Sequence, residues 1–158
     1  MSKFIRVSCS KPVALSETLR LDKILDRYRL AGFPSRFEAR FYWNDLSGAE
    51  FWAENCLAAG GKAKIWLVEV DAEKCVECDF LPVEVLAEDG RLSEEEVEKW
   101  ARRYWSSCRR PGRLGEVGNT EVLCWNVREE KKTLLAEVGN LKELRKAFAK
   151  IREKILQH

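Results

Sequence analysis

The chain is poor in histidine, methionine and glutamine: each occurs once in 158 residues, and the histidine is the last residue, His158. Mechanisms that rest on an imidazole base, and metal centres built from several histidines, therefore have no candidate inside the fold. Apolar runs are also short. None approaches the roughly 20 residues needed to span a bilayer, and Met1 to Cys9 is interrupted by Lys3 and Arg6, unlike the apolar core of a signal peptide. A cytoplasmic protein is the expectation. The glycine-rich phosphate loop, the dinucleotide-binding glycine fingerprint, the nucleophile elbow and the zinc-protease helix are missing. Net charge gives no global signal, because 28 Lys and Arg stand against 26 Asp and Glu, so any electrostatic argument must be local.

What is present suits one domain over residues 1–158, long enough for a real core. Abundant Glu, Arg and Lys with so little Gln and Met match the composition of heat-adapted, thermophile proteins. That leaves the six cysteines open among thiols, metal ligands and disulfides. Cys75 and Cys78 have the spacing of half a zinc site that Cys108 and Cys124 would complete, but the second pair is too distant for a compact zinc ribbon, and no metal site is assigned.

Four helices follow from apolar spacing and caps. Ser16 opens the first, with Leu21, Ile24, Leu25 and Tyr28 on one face. Ser47 and Glu50 form a capping box for the second, which stops at Gly60. Ser93 and Glu96 repeat the box before a stripe of Val97, Trp100, Ala101, Tyr104 and Trp105. Asn140 caps an amphipathic helix over 140–157 that packs on the rest of the domain. Strands are expected at Phe4 to Cys9, Phe37 to Trp43, Ile65 to Val70, Val83 to Leu86, Glu121 to Val127 and Thr133 to Val138, an α+β pattern. Strict alternation from Arg36 puts Phe37, Ala39, Phe41 and Trp43 on one face, and Arg36, Glu38, Arg40 and Tyr42 on another that offers a polar ligand a seat.

Charge is uneven in the middle of the chain. Glu84 to Glu98 holds seven acids and one base, whereas Lys99 to Arg113 holds six bases and no acid. Arginines 102, 103, 109, 110 and 113, interleaved with Tyr104 and Trp105, have the chemistry of a surface for phosphates and stacked bases. A non-catalytic nucleic-acid-binding module using 99–113 is therefore one functional reading.

The order of short signatures supports another. Phe4-Ile5-Arg6-Val7-Ser8 is followed by Arg29-x-x-x-Phe33-Pro34-Ser35-Arg36, then Phe41-Tyr42-Trp43, Trp66-Leu67-Val68-Glu69-Val70-Asp71, Ala101-x-x-Tyr104-Trp105 and Glu121-Val122-Leu123. Over about residues 3 to 127 this resembles the ADP-ribosyltransferase-like fold, especially the DNA-targeting ADP-ribosyltransferase toxins and related bacterial and archaeal domains. The resemblance implies two small, mostly antiparallel sheets forming a cleft with flanking helices. It also implies NAD as substrate, Glu121 as catalytic residue, and Arg6, Ser8, Ser35, Arg36 and Tyr42 as the NAD-binding set. The loop before Glu121 would recognise the acceptor through Arg109, Arg110 and Arg113, with Trp105 beside it, and nucleic acid is the acceptor such residues suit. Asn119 stands where enzymes that modify arginine often carry Glu or Gln, so arginine modification is not favoured.

The chemistry is consistent with these residue types. Cleavage between ribose and nicotinamide passes through an oxocarbenium-like state that a carboxylate stabilises. Fork-shaped guanidinium donors suit pyrophosphate, and a tyrosine ring suits nicotinamide. On this reading Arg6, Tyr42 and Glu121 converge on one cleft, and Glu121→Ala abolishes transfer or NAD cleavage with little effect on melting.

Overall fold

Period-two alternation in the first strand sends Ile5 and Val7 into one apolar cluster and Phe4 into another on the opposite side. The computed structural model describes residues 1–13, 15–88 and 91–157. Its elements run β1 (Ser2–Cys9), α1 (Leu15–Arg27), β2 (Arg40–Tyr42), α2 (Leu46–Ala58), β3 (Ala63–Val70), a 3-10 turn (Ala72–Lys74), β4 (Cys75–Asp79), α3 (Leu81–Glu88), α4 (Glu94–Ser107), β5 (Thr120–Cys124), β6 (Lys131–Val138) and α5 (Leu141–Leu156). His158 and the side chain of Ser16 lie outside the described residues.

Two three-stranded antiparallel sheets result, ordered β1-β3-β6 and β2-β5-β4. They meet where Ile5 and Trp43 exchange backbone hydrogen bonds of 2.8 Å in both directions. The fold is α+β with two small antiparallel sheets and flanking helices, as expected at that level. Helices α2 and α5 cover β1-β3-β6 through Ala53, Phe148 and Ile151 against Ile5 and Ile65. On the other sheet, Leu25, Leu86 and Trp105 from α1, α3 and α4 close over Leu123. A third cluster, Phe4, Tyr42, Val68 and Val122, lies between the sheets. Among the described residues no helix is long and apolar enough to cross a membrane.

Three expected elements differ. The Phe37–Trp43 strand shrinks to Arg40–Tyr42, because residues 35–39 form a turn in which Ala39 N–H donates to the Ser35 carbonyl at 2.9 Å and Phe37 is half exposed. Val83 to Leu86 is helical: Pro82 occupies the first turn of α3, where its missing donor costs little, and Val83 and Leu86 share a buried face at helical spacing. Helix α2 starts at Leu46 after Asp45, and Ser47 donates to Glu116 at 2.7 Å instead of capping. The capping box of Ser93 with Glu96 and the Asn140 cap are present.

All six cysteines are paired, as Cys9–Cys56, Cys75–Cys124 and Cys78–Cys108. The four sulfurs a zinc site would have used are thus bonded to one another. Cys75 and Cys124 are directly opposite on β4 and β5, while Cys78 ties β4 to the end of α4.

Candidate functional site

A cleft of about 540 Å³ opens on the helical side of the junction between the sheets, lined by Val7 of β1, Phe41 and Trp43, Trp52 of α2, Phe80 and the floor residues Asp22, Arg36 and Glu121. Local geometry explains the floor. Glu121 and Leu123 share one face of β5, opposite Val122 and Cys124, which face the other sheet. Arg36 is swung inward by the turn after α1: Ser35 Oγ donates to Asp26, and the Arg36 N–H donates to Asp26 Oδ1 at 2.8 Å. Its guanidinium then lies 4.8 Å from the Phe41 ring. Arg36 therefore leaves the face of Tyr42, with which strict alternation had grouped it.

The floor is a buried, hydrogen-bonded charge cluster. Arg36, only 7% exposed, donates from Nε to Asp22 Oδ1 at 2.7 Å, and from Nη1 to Tyr104 Oη at 2.6 Å and Glu121 Oε1 at 2.5 Å. Tyr104 donates to the same Glu121 oxygen at 2.5 Å. Burial alone would lower the Arg36 pKa, but Glu121, Tyr104 and Asp22 overcome it and raise it, so the guanidinium stays charged. Burial raises the Asp22 pKa against the opposing pull of Arg36, and it raises Tyr104 well above the ordinary phenol range. Glu121 Oε1 is fixed by two donors, Arg36 and Tyr104.

Three other residues of the expected NAD-binding set lie across the strands from this cleft. Arg6, Ser8 and Tyr42 gather around Glu129: Tyr42 Oη donates to Glu129 Oε2 at 2.9 Å, and Arg6 Nε forms an ion pair with that oxygen at 2.9 Å without hydrogen-bond alignment. Arg6 Nη1 and Trp66 Nε1 both donate to Ser8 Oγ, at 3.0 and 3.1 Å, and the Arg6 guanidinium sits 5.4 Å from the Trp66 ring. Burial, then Glu129, pushes the Tyr42 pKa up to about 12. The expected convergence of Arg6, Tyr42 and Glu121 is corrected. Val7, one residue from Arg6 and on the opposite face of β1, is the β1 residue that lines the cleft.

The chain matches no protein-family model, no curated protein and no solved structure.

Within the arginine stretch, Trp105 and Arg109 are engaged in the fold, while Arg102, Arg103, Arg110 and Arg113 are exposed. Trp105 is fully buried and donates from Nε1 to the Leu25 carbonyl at 2.6 Å, so it cannot stack on a base. Arg109 is held by Glu77 at 2.6 Å and Asp79 at 2.9 Å, and it exchanges backbone hydrogen bonds with Glu77. Arg102 pairs with Glu98 at 3.0 Å, and Arg103 lies 5.0 Å from the Trp100 ring. Arg110 and Arg113 are exposed, but no residue of 99–120 lines the cleft. The loop is pinned down, with Gly112 N–H donating to Glu77 Oε1 at 2.9 Å and Asn119 N–H to Asp45 Oδ2 at 2.9 Å.

Sequence reasoning missed Asp22 and Glu129, and it placed Tyr104 on a stacking surface, not beside Glu121. Asp22 carries a faint signal, an acid beside Leu21 and Leu25 of the apolar stripe of α1. Tyr104 is hidden by its place in the stripe of α4, and Glu129 by the run of charges around it.

Proposed function

We propose that the cleft takes the nicotinamide-riboside end of NAD and that the chain is an ADP-ribosyltransferase-like protein, transferring ADP-ribose to an acceptor or hydrolysing NAD. The observation that carries this reading is the floor of the cleft. A buried carboxylate, fixed through one oxygen by Arg36 and Tyr104, lines the cleft under walls of Phe41, Trp43 and Phe80. A planar ring stacks on such walls. Glu121 Oε2 then faces the ribose, and as the bond from C1′ to the ring nitrogen breaks, its electron pair leaves with neutral nicotinamide while the carboxylate stabilises the positive charge left on the sugar. Water or the acceptor adds at C1′, its lone pair forming the new bond and its proton passing to solvent. Preorganisation comes from the buried shell: Asp22 holds Arg36, and Arg36 with Tyr104 holds Glu121. Ser35 acts one step further out, through Asp26 and the turn that delivers Arg36. Arg6, Ser8 and Tyr42 have no part in this step.

The test is NAD cleavage, read as nicotinamide release, together with the melting shift that NAD induces, in the wild type and in Glu121→Gln. Expected are release and an upward shift in the wild type, with release lost in the variant and the shift retained. A chain that neither binds nor cleaves NAD, or a variant as active as the parent, removes the reading.

A further inference from the structure

Carboxylates outnumber cations around the cleft. Asp22 and Glu121 on the floor and Glu84 and Glu88 on α3 make four, and Arg36 is the one Lys or Arg among the described lining residues. That guanidinium is already committed, with Nε on Asp22 and Nη1 on Tyr104 and Glu121. Its charge is offset by the two floor carboxylates, so the cleft holds no surplus positive charge for a phosphate. The walls add five aromatic rings, Phe41, Trp43, Phe51, Trp52 and Phe80. Trp43 and Phe80 meet edge to face at 5.6 Å, which fixes the Trp43 ring within the wall, and Phe51 is half exposed. The face of an aromatic ring is its negative region, so a cation seated on these rings is favoured by both the rings and the surplus carboxylates.

We infer that the cleft selects planar organic cations, and specifically a pyridinium ring over the same ring without charge. The choice of ring rests on the glycosyl reading above, and the inference sharpens it. The oxidised, positively charged nicotinamide of NAD enters. The neutral dihydropyridine of NADH is disfavoured, and the pyrophosphate stays outside the acidic wall. Release of nicotinamide as a neutral molecule removes the charge the cleft holds, so the product leaves more readily than the substrate ring.

The experiment is isothermal titration calorimetry of the whole chain with three probes that share a ring: N1-methylnicotinamide (cation), nicotinamide (neutral) and nicotinate (anion). The cation is expected to bind on the order of tenfold more tightly than nicotinamide, a cation–π and carboxylate effect of ordinary size, with nicotinate binding weakest. Because Glu121 supports the buried floor, the diagnostic variant is Glu84→Gln with Glu88→Gln, on α3 away from the Arg36 cluster. It should lower the preference several-fold. Equal affinities for cation and neutral ring, no binding of any ring, or a preference unchanged in the double variant overturns the inference. NAD cleavage measured beside it separates the two ideas. Cleavage that depends on Glu121 without a cation preference defeats the selectivity alone, whereas a cation preference without NAD binding or cleavage supports it and defeats the glycosyl reading.

Discussion

Arg36 and Glu121 lie 85 residues apart in the chain and 2.5 Å apart in space, joined on the floor of a cleft that neither α1 nor β5 could form alone. A buried guanidinium that loses one of its anionic partners is left undercompensated, and this makes Glu121 a stability residue as well as a candidate for chemistry.

Glu121→Ala should therefore destabilise the fold by about 3–5 kcal/mol, measured by urea unfolding, because Arg36 is left with Asp22 as its one carboxylate partner. From the sequence alone the opposite outcome, a nearly unchanged melting temperature, is expected. Glu121→Gln keeps the volume and an acceptor oxygen, and it should lose less. An alanine variant as stable as the parent would show that the pair does not form.

Tyr104→Phe removes the hydroxyl that accepts from Arg36 and donates to Glu121 while leaving the ring against Trp105, 5.0 Å away. The expected loss is about 1–3 kcal/mol. Double-mutant cycles with Glu121→Gln should give a clearly non-zero coupling energy. Strict additivity would place the two groups in separate networks.

The raised Asp22 pKa sets a sign for the pH dependence. Burial keeps the proton on in the folded state at pH values where the unfolded chain has released it. Asp22 therefore contributes a stability that falls as pH rises from the ordinary aspartate range through the raised value. Glu116 works oppositely. Burial would raise its pKa, but Arg152 and Ser47 lower it overall, so its contribution is present above the ordinary glutamate range and is lost as pH falls through the depressed value. Stability curves across the acid range should lose the first slope in Asp22→Asn and the second in Glu116→Gln.

Replacing Cys75 and Cys124 together with serine opens a link between residues 49 apart and should cost about 4 kcal/mol by chain entropy. Thermal unfolding with and without a thiol reductant checks it. The parent should melt lower when reduced, and the double variant should respond less.

Local signals were legible wherever the chain alone decides the outcome. The Ser93 and Glu96 box, the Asn140 cap and the alternation of β1 need no distant partner. Strand β4 was hidden because Cys75 to Asp79 reads as metal ligands rather than as an alternating strand. Val83 to Leu86 misled because β-branched content outweighed the helix-start meaning of Pro82. At the site, the sequence points to both Arg36 and Glu121, and they meet. Residue type groups Arg6 and Tyr42 in the same cleft because it says nothing about which face of a strand points where. That depends on pairing with β3 and β5, information held elsewhere in the chain. Trp105 shows the same limit, since an aromatic beside arginines reads as a stacking platform until α1 closes over it.

Cys75 and Cys78 stand on opposite faces of β4, three residues apart along an extended strand and so about 10 Å from one another. No bond can pass directly between them while that strand is intact. Their proximity in sequence therefore offers no local route for exchanging partners. Each sulfur is committed to a distant segment, and correct oxidation must follow the arrival of β5 and the end of α4 beside β4.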